Sequence, residues 1–182
     1  MSIQQFQWAA FIEPLRSSHG AVATDQPQAS SIGVEILKAG GNAFDAAIAT
    51  ALALGVANPH SSGIGGGDFI MYYSSEEDQV RVIDCRESAP AAITRKHYLS
   101  DGKYETRLSQ RGGLAVAIPG ELKGLQLLHK KFGTLPWKQL FRPAIKLAKE
   151  GVVVSRYFHK ILKKYALSFR KDSLLNEVFY PN

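Results

Sequence analysis

A single cysteine, Cys85, occurs among the 182 residues, which excludes an intrachain disulfide and any zinc site built on paired thiolates. The five histidines never stand at ligand spacing from one another, so no metal is expected, and nothing in the sequence calls for a cofactor. No apolar run reaches the length of a membrane span. Residues 1–18 lack the charged start, long apolar stretch and small-residue cleavage site of a signal peptide. The stretch is therefore expected to be a flexible N-terminal segment, and a cytoplasmic location is the default expectation. Internal repeats and low-complexity linkers are lacking too, which leaves one domain over residues 19–182.

Acidic residues are missing from one more place. Arg156, Lys160, Lys163, Lys164, Arg170 and Lys171 follow one another with no carboxylate between them and account for much of the net charge of +6. Such a run reads first as a solvated helix face and second as a contact for an acidic partner segment. The aromatic residues that fall within it, Tyr157, Phe158, Tyr165 and Phe169, are not read as the stacking platform of a single-strand binder, so nucleic acid is not an expected partner.

What is present is ordinary globular material, 45% apolar and 21% charged. Residues 21–24 are a short apolar strand candidate, and Asp25 with Pro27 reads as a cap and first-turn proline. Ile32, Ile36 and Leu37 share one face of the helix that follows, which Gly40-Gly41 ends. Asn42 is placed to cap a second helix over residues 43–57, with Asp45 in its first turn. That helix is Ala- and Leu-rich on nearly all sides and has no lysine or arginine, so it is expected to be buried. Asn58-Pro59 stops it.

A glycine-rich loop leads from His60 to Asp68, and residues 69–73 and 79–84 have the β-branched and aromatic content of a hairpin. Residues 88–113 read as irregular and 114–118 as a short buried strand. A helix over residues 121–132 is expected to bury Leu122, Leu125 and Leu128. Pro136 opens a further helical segment, Pro143 restarts it and Gly151 ends it; Ser155 caps a last helix over residues 156–169.

Two features could carry chemistry. Gly63, Gly65, Gly66 and Gly67 give a loop almost without side chains, but it follows a helix and precedes a strand, the reverse of a dinucleotide fingerprint, and no Gly-Lys-Ser/Thr closes it. It is either a tight passage between helix and sheet or a backbone wall beside a ligand. Arg86 emerges where the second hairpin strand ends. Its guanidinium is a fixed fork of donors that suits a carboxylate, although a strand-end arginine is equally an ordinary surface residue.

Three stretches, Gly40-Gly41-Asn42-Ala43-Phe44-Asp45-Ala46-Ala47, Gly63-Ile64-Gly65-Gly66-Gly67-Asp68-Phe69 and Asp84-Cys85-Arg86-Glu87-Ser88-Ala89-Pro90, carry a family resemblance. Pro119-Gly120-Glu121, Gly133-Thr134-Leu135-Pro136-Trp137 and Pro143-Ala144-Ile145-Lys146-Leu147-Ala148 extend it in the same order. Residues 19–181 resemble the amino-terminal region of the γ-glutamyltransferase (glutathione hydrolase) family.

The resemblance implies an α/β fold, an incomplete portion of the four-layer αββα sandwich of N-terminal-nucleophile hydrolases. It implies that Arg86, at the arginine of the Arg-Glu-x-Ala-Pro motif, binds the α-carboxylate of a γ-glutamyl amide such as glutathione. In that family a threonine freed by self-cleavage is the nucleophile and its own α-amine the base. Thr24, Thr50, Thr94, Thr106 and Thr134 never form the Thr-Thr pair of the family's small subunit. No catalytic residue is therefore expected in this chain, and a C-terminal part or small subunit is expected as its partner. A non-catalytic paralogue that binds γ-glutamyl or amino-acid ligands is the alternative. Asp68 departs from the family, which carries glycine or an apolar residue there, and Cys85 is expected to be a packed small side chain rather than a nucleophile.

Overall fold

A computed structural model describes residues 16–180; most of the expected flexible N-terminal segment therefore lies outside the described residues. Helix α1 spans Pro27–Lys38, with proline at its start where the missing N–H is no loss. Asp25 is not its cap. The N-cap is Gln26, which makes no side-chain cap bond, while Asp25 accepts from Asn58 Nδ2 at 2.7 Å and ties the entry of α1 to the exit of the next helix. Helix α1 buries Ala29, Ile32, Gly33 and Ile36. Gly40, at φ +88°, turns the chain out of it, and Gly41 N–H reaches back to the Ile36 carbonyl at 3.0 Å.

Helix α2 spans Ala43–Ala57 and opens on a capping box. Asn42 Oδ1 accepts from Phe44 N and Asp45 N, and Asp45 Oδ2 accepts from Asn42 N. Ile48, Ala49 and Ala53 are fully buried, and α1, α3 (Glu121–Phe132) and α4 (Trp137–Glu150) pack around this helix. One stripe departs from the expectation of burial on nearly all sides: Ala43 and Ala47 are exposed and Ala51 and Leu54 half-buried, facing an open groove with residues 19–23.

The expected hairpin is present as β1 (Asp68–Ser74) and β2 (Gln79–Cys85). The strands are antiparallel, with Asp68 opposite Cys85 and Ser74 opposite Gln79. Ile70, Tyr72 and Ile83 face the helices, and Tyr72 meets Phe44 and Phe132 in an aromatic cluster with centroids 4.4–5.6 Å apart. The other face is bare: Phe69, Met71, Tyr73, Val80 and Val82 are each 58–73% exposed.

Five further expectations are corrected. Residues 21–24 are not a strand; their backbone pairs with no other strand among the described residues. Residues 114–118 form a short 3₁₀ turn, Gly113–Ala115, and only Ile118 pairs, in a single bridge to Ser88; Val116 and Ile118 are exposed rather than buried. Within the region expected to be irregular, β3 (Leu99–Ser100) and β4 (Lys103–Tyr104) form a small ladder. Helix α3 buries Glu121, Gly124, Leu125 and Leu128 and leaves Leu122 exposed, so the buried stripe is rotated from the Leu122 side towards the small residue that lets β2 approach. Pro143 does not restart a helix but sits inside continuous α4. Gly151, at φ +86°, then ends α4.

Ser155 Oγ accepts from Phe158 N at 3.1 Å and starts α5, Arg156–Phe169. A short α6, Ser173–Phe179, is capped by Asp172 and folds back on α5.

Candidate functional site

The site is built where three segments meet: the glycine loop, the end of β2 and the approach to α3. Gly66 carbonyl accepts from the N–H groups of Gly120 and Glu121 at 2.9 and 3.1 Å, which fastens the start of α3 to the loop. Ser88 and Ile118 exchange both backbone hydrogen bonds beside it. Glycine is required at two points by close approach. A Cβ on Gly67 would stand 2.3 Å from Glu87 N, and one on Gly120 would stand 2.2 Å from the Cys85 carbonyl oxygen. The glycine loop is thus a tight passage, and it also forms a wall.

Arg86 stands on that wall, immediately past the end of β2. Its backbone N–H donates to Asp84 Oδ1 at 3.0 Å. Its Nη1 donates to the Gly67 carbonyl at 3.1 Å and its Nη2 to Glu87 Oε1 at 2.8 Å. The guanidinium is therefore held at two points while its side chain remains 50% exposed. A guanidinium carries five N–H donors, so a fork remains free to receive a planar anion. The second Glu87 oxygen, Oε2, is buried and has no hydrogen-bond partner. Glu87 is the neighbour that sequence reading passed over; its place beside an arginine in Arg-Glu-x-Ala-Pro is the only signal that could have drawn attention to it.

Asp68 and Cys85 face each other across the hairpin, and the Cys85 thiol donates to the Asp68 carboxylate. Burial, then the neighbouring Asp68, push that thiol up to about 12. It carries no thiolate at neutral pH and packs against Gly124, where an added Cβ would meet its sulfur at 2.3 Å. Asp68 is accommodated at the start of β1 by this partner. Glu121 is buried, and its carboxyl is raised by burial and by the charge of Asp68 against a hydrogen bond from Gly63. With His60, Ser61 and the glycine loop, Asp68 and Glu121 line an open cavity of about 520 Å³. Gly67 belongs to both features, lining the cavity and holding Arg86.

Nothing in this arrangement is a nucleophile paired with a base. What it offers is a positioned cation beside a backbone wall, set on an α/β layer.

That architecture is part of an N-terminal-nucleophile hydrolase. The chain superimposes on the γ-glutamyltranspeptidase of Helicobacter pylori with a TM-score of 0.86 at 36% identity, covering 92% of this chain and 48% of that one. The family model described as gamma-glutamyltranspeptidase matches residues 29–182, and the chain belongs to that family. It is 41% identical over 168 residues to glutathione hydrolase 3 of Arabidopsis thaliana, across 92% of this chain and 26% of that protein. It is 45% identical over 159 residues to scoloptoxin SSD14 of Scolopendra dehaani, across 87% of this chain and 27% of that protein. The chain thus spans about a quarter of the length of the curated relatives it matches.

Proposed function

We propose that this chain is the substrate-anchoring part of an enzyme that hydrolyses γ-glutamyl amides or transfers their γ-glutamyl group, and that Arg86 binds the α-carboxylate of the donor. The observation that carries this reading is the guanidinium held by Gly67 and Glu87 with a donor fork left free. Two fixed donors leave the head little freedom to lose on binding, and a carboxylate supplies the planar pair of acceptors the fork fits. The nucleophile and the groups that receive the substrate amine and oxyanion come from outside these residues. The partner is accordingly a segment bearing the family's Thr-Thr start, in the same or a separate polypeptide. Glutathione hydrolases among its relatives support a γ-glutamyl peptide as the substrate.

Co-expression with all of the part of a relative such as the Bacillus subtilis glutathione hydrolase that this chain does not match, which is 72% of that protein's length because the match covers 28% of it, gives the test. Arg86→Ala is expected to weaken use of a chromogenic γ-glutamyl anilide by about 2–5 kcal/mol, and Arg86→Lys to be poor because it keeps charge but not the fork. Equal turnover by parent and both variants would remove the assignment.

A further inference from the structure

Helices α5 and α6 form an arm at the edge of the molecule. Phe158 is the only buried residue of α5, stacking on His60 at 4.9 Å, and α5 otherwise packs on α6 through Phe158 and Phe169 against Phe179. The opposite face of α5 presents Arg156, Lys160, Lys163, Lys164 and Leu167. These stand at i, i+4, i+7, i+8 and i+11, one continuous stripe roughly 16 Å long at 1.5 Å per residue.

Among the described residues the stripe has little internal engagement: Lys164 Nζ lies 5.2 Å from the centroid of the neighbouring Tyr165 ring. Among the described residues none of its cations pairs with a carboxylate. Arg156 with Lys160, and Lys160 with Lys164, are like charges at i, i+4, each pair unfavourable to the helix. Arg156 also occupies the first turn, where the helix dipole disfavours a cation. Leu167, 86% exposed, ends the row.

We propose that this stripe is the docking surface for an acidic helical protein segment, which would lay carboxylates on the four cations and an apolar side chain on Leu167. Charge complementarity selects the sign of the occupant. Three of the four cations are lysines, point charges without the fork that favours phosphate. The buried apolar face of α5 is turned onto α6 and His60, and the stripe itself offers a single apolar side chain, Leu167, too little to enter a lipid surface. This surface is independent of Arg86.

The test uses the full chain and a labelled helical peptide with glutamates at i, i+4, i+7 and i+8 and a leucine at i+11, followed by fluorescence anisotropy. Binding is expected to weaken roughly tenfold between 50 and 300 mM salt as screening tightens, and Lys160→Glu with Lys164→Glu to lower affinity by more than about tenfold. Lys160→Gln with Lys164→Gln, which keeps the helix formers, should lose less in the same direction. Lys103→Glu with Arg107→Glu, the same charge change elsewhere on the surface, should leave binding unchanged. The proposal is overturned if that control pair weakens binding equally, if phosphatidylserine vesicles or duplex DNA bind more tightly than the peptide, or if the peptide does not bind at low salt.

Discussion

Glu87 holds Arg86 with one carboxylate oxygen, Oε1 at 2.8 Å from Nη2, while its other oxygen is buried without a partner. The carboxylate is therefore a positioning group, committed to the guanidinium and shielded from solvent on its far side by the glycine loop. In a reconstituted enzyme, Glu87→Ala is expected to raise KM for a γ-glutamyl donor about fivefold with kcat little changed, the half-exposed pair being worth near 1 kcal/mol. Glu87→Gln, whose side-chain oxygen can still accept from Nη2, should change KM less. Steady-state kinetics separate the two, and a larger loss in Gln than in Ala contradicts the assigned role.

Gly67 and Glu87 are packed so closely that no side chain fits at the loop position. Gly67→Ala and Gly120→Ala each set a methyl against backbone within 2.3 Å, and each is expected to cost about 1–3 kcal/mol of stability. Because the Gly67 carbonyl also holds Arg86, the first substitution should weaken donor binding as well. Thermal melts read the stability change. An unchanged melting temperature in both variants is incompatible with the packing described.

Asp45 is fully buried and accepts from Asn42 N, Thr134 N, Thr134 Oγ1 and Leu135 N. Burial acts to raise this carboxyl, but the bonds from Thr134, Asn42 and Leu135 outweigh it and hold it below its ordinary 3.8. A depressed carboxyl contributes stability that is present above the unfolded value and lost as pH falls through the lower folded value. Denaturant titrations should accordingly show an acid loss below pH about 4 that Asp45→Asn removes. Asp45→Ala should cost about 3–5 kcal/mol at neutral pH, since the knot also ties α2 to the end of α3 through Asn42 Nδ2 and the Phe132 carbonyl. A loss below 1 kcal/mol contradicts it.

The bare face of the hairpin makes a prediction about the chain alone. Phe69, Met71, Tyr73, Val80 and Val82 form a contiguous apolar surface, and the groove along Ala43, Ala47, Ala51 and Leu54 is a second. The chain without a partner is expected to bind a hydrophobic dye and to self-associate. Met71→Lys with Val82→Lys should reduce both without lowering the melting temperature. A sharply melting monomer that binds no dye runs against the partner requirement.

Much of this organisation could be read from residue order. Caps and breakers placed α1, α2 and α5 because Pro27, Asn42, Gly40 and Ser155 act locally, and β-branched and aromatic content placed the hairpin. The misses share one cause: they depend on what lies across space. Residues 21–24 have strand composition, but a strand needs a neighbour. Leu122 lost its place in the core to Gly124 because Cys85 approaches there. Pro143 is tolerated inside α4 although it removes one backbone donor. Arg86 stood out as a candidate from its motif, but the two groups that hold it did not, since Gly67 is distant in sequence and Glu87 is an unremarkable carboxylate until its oxygens are seen.

The most direct measurement is a two-by-two comparison in the reconstituted enzyme: parent and Arg86→Ala, each with a γ-glutamyl anilide and with the same anilide lacking the α-carboxylate. If Arg86 grips that carboxylate, the substitution and the deletion each lower kcat/KM by a similar factor, and applying both costs hardly more than either alone. Independent losses that multiply, or an Arg86→Ala enzyme that still prefers the carboxylated donor as strongly as the parent, would contradict it.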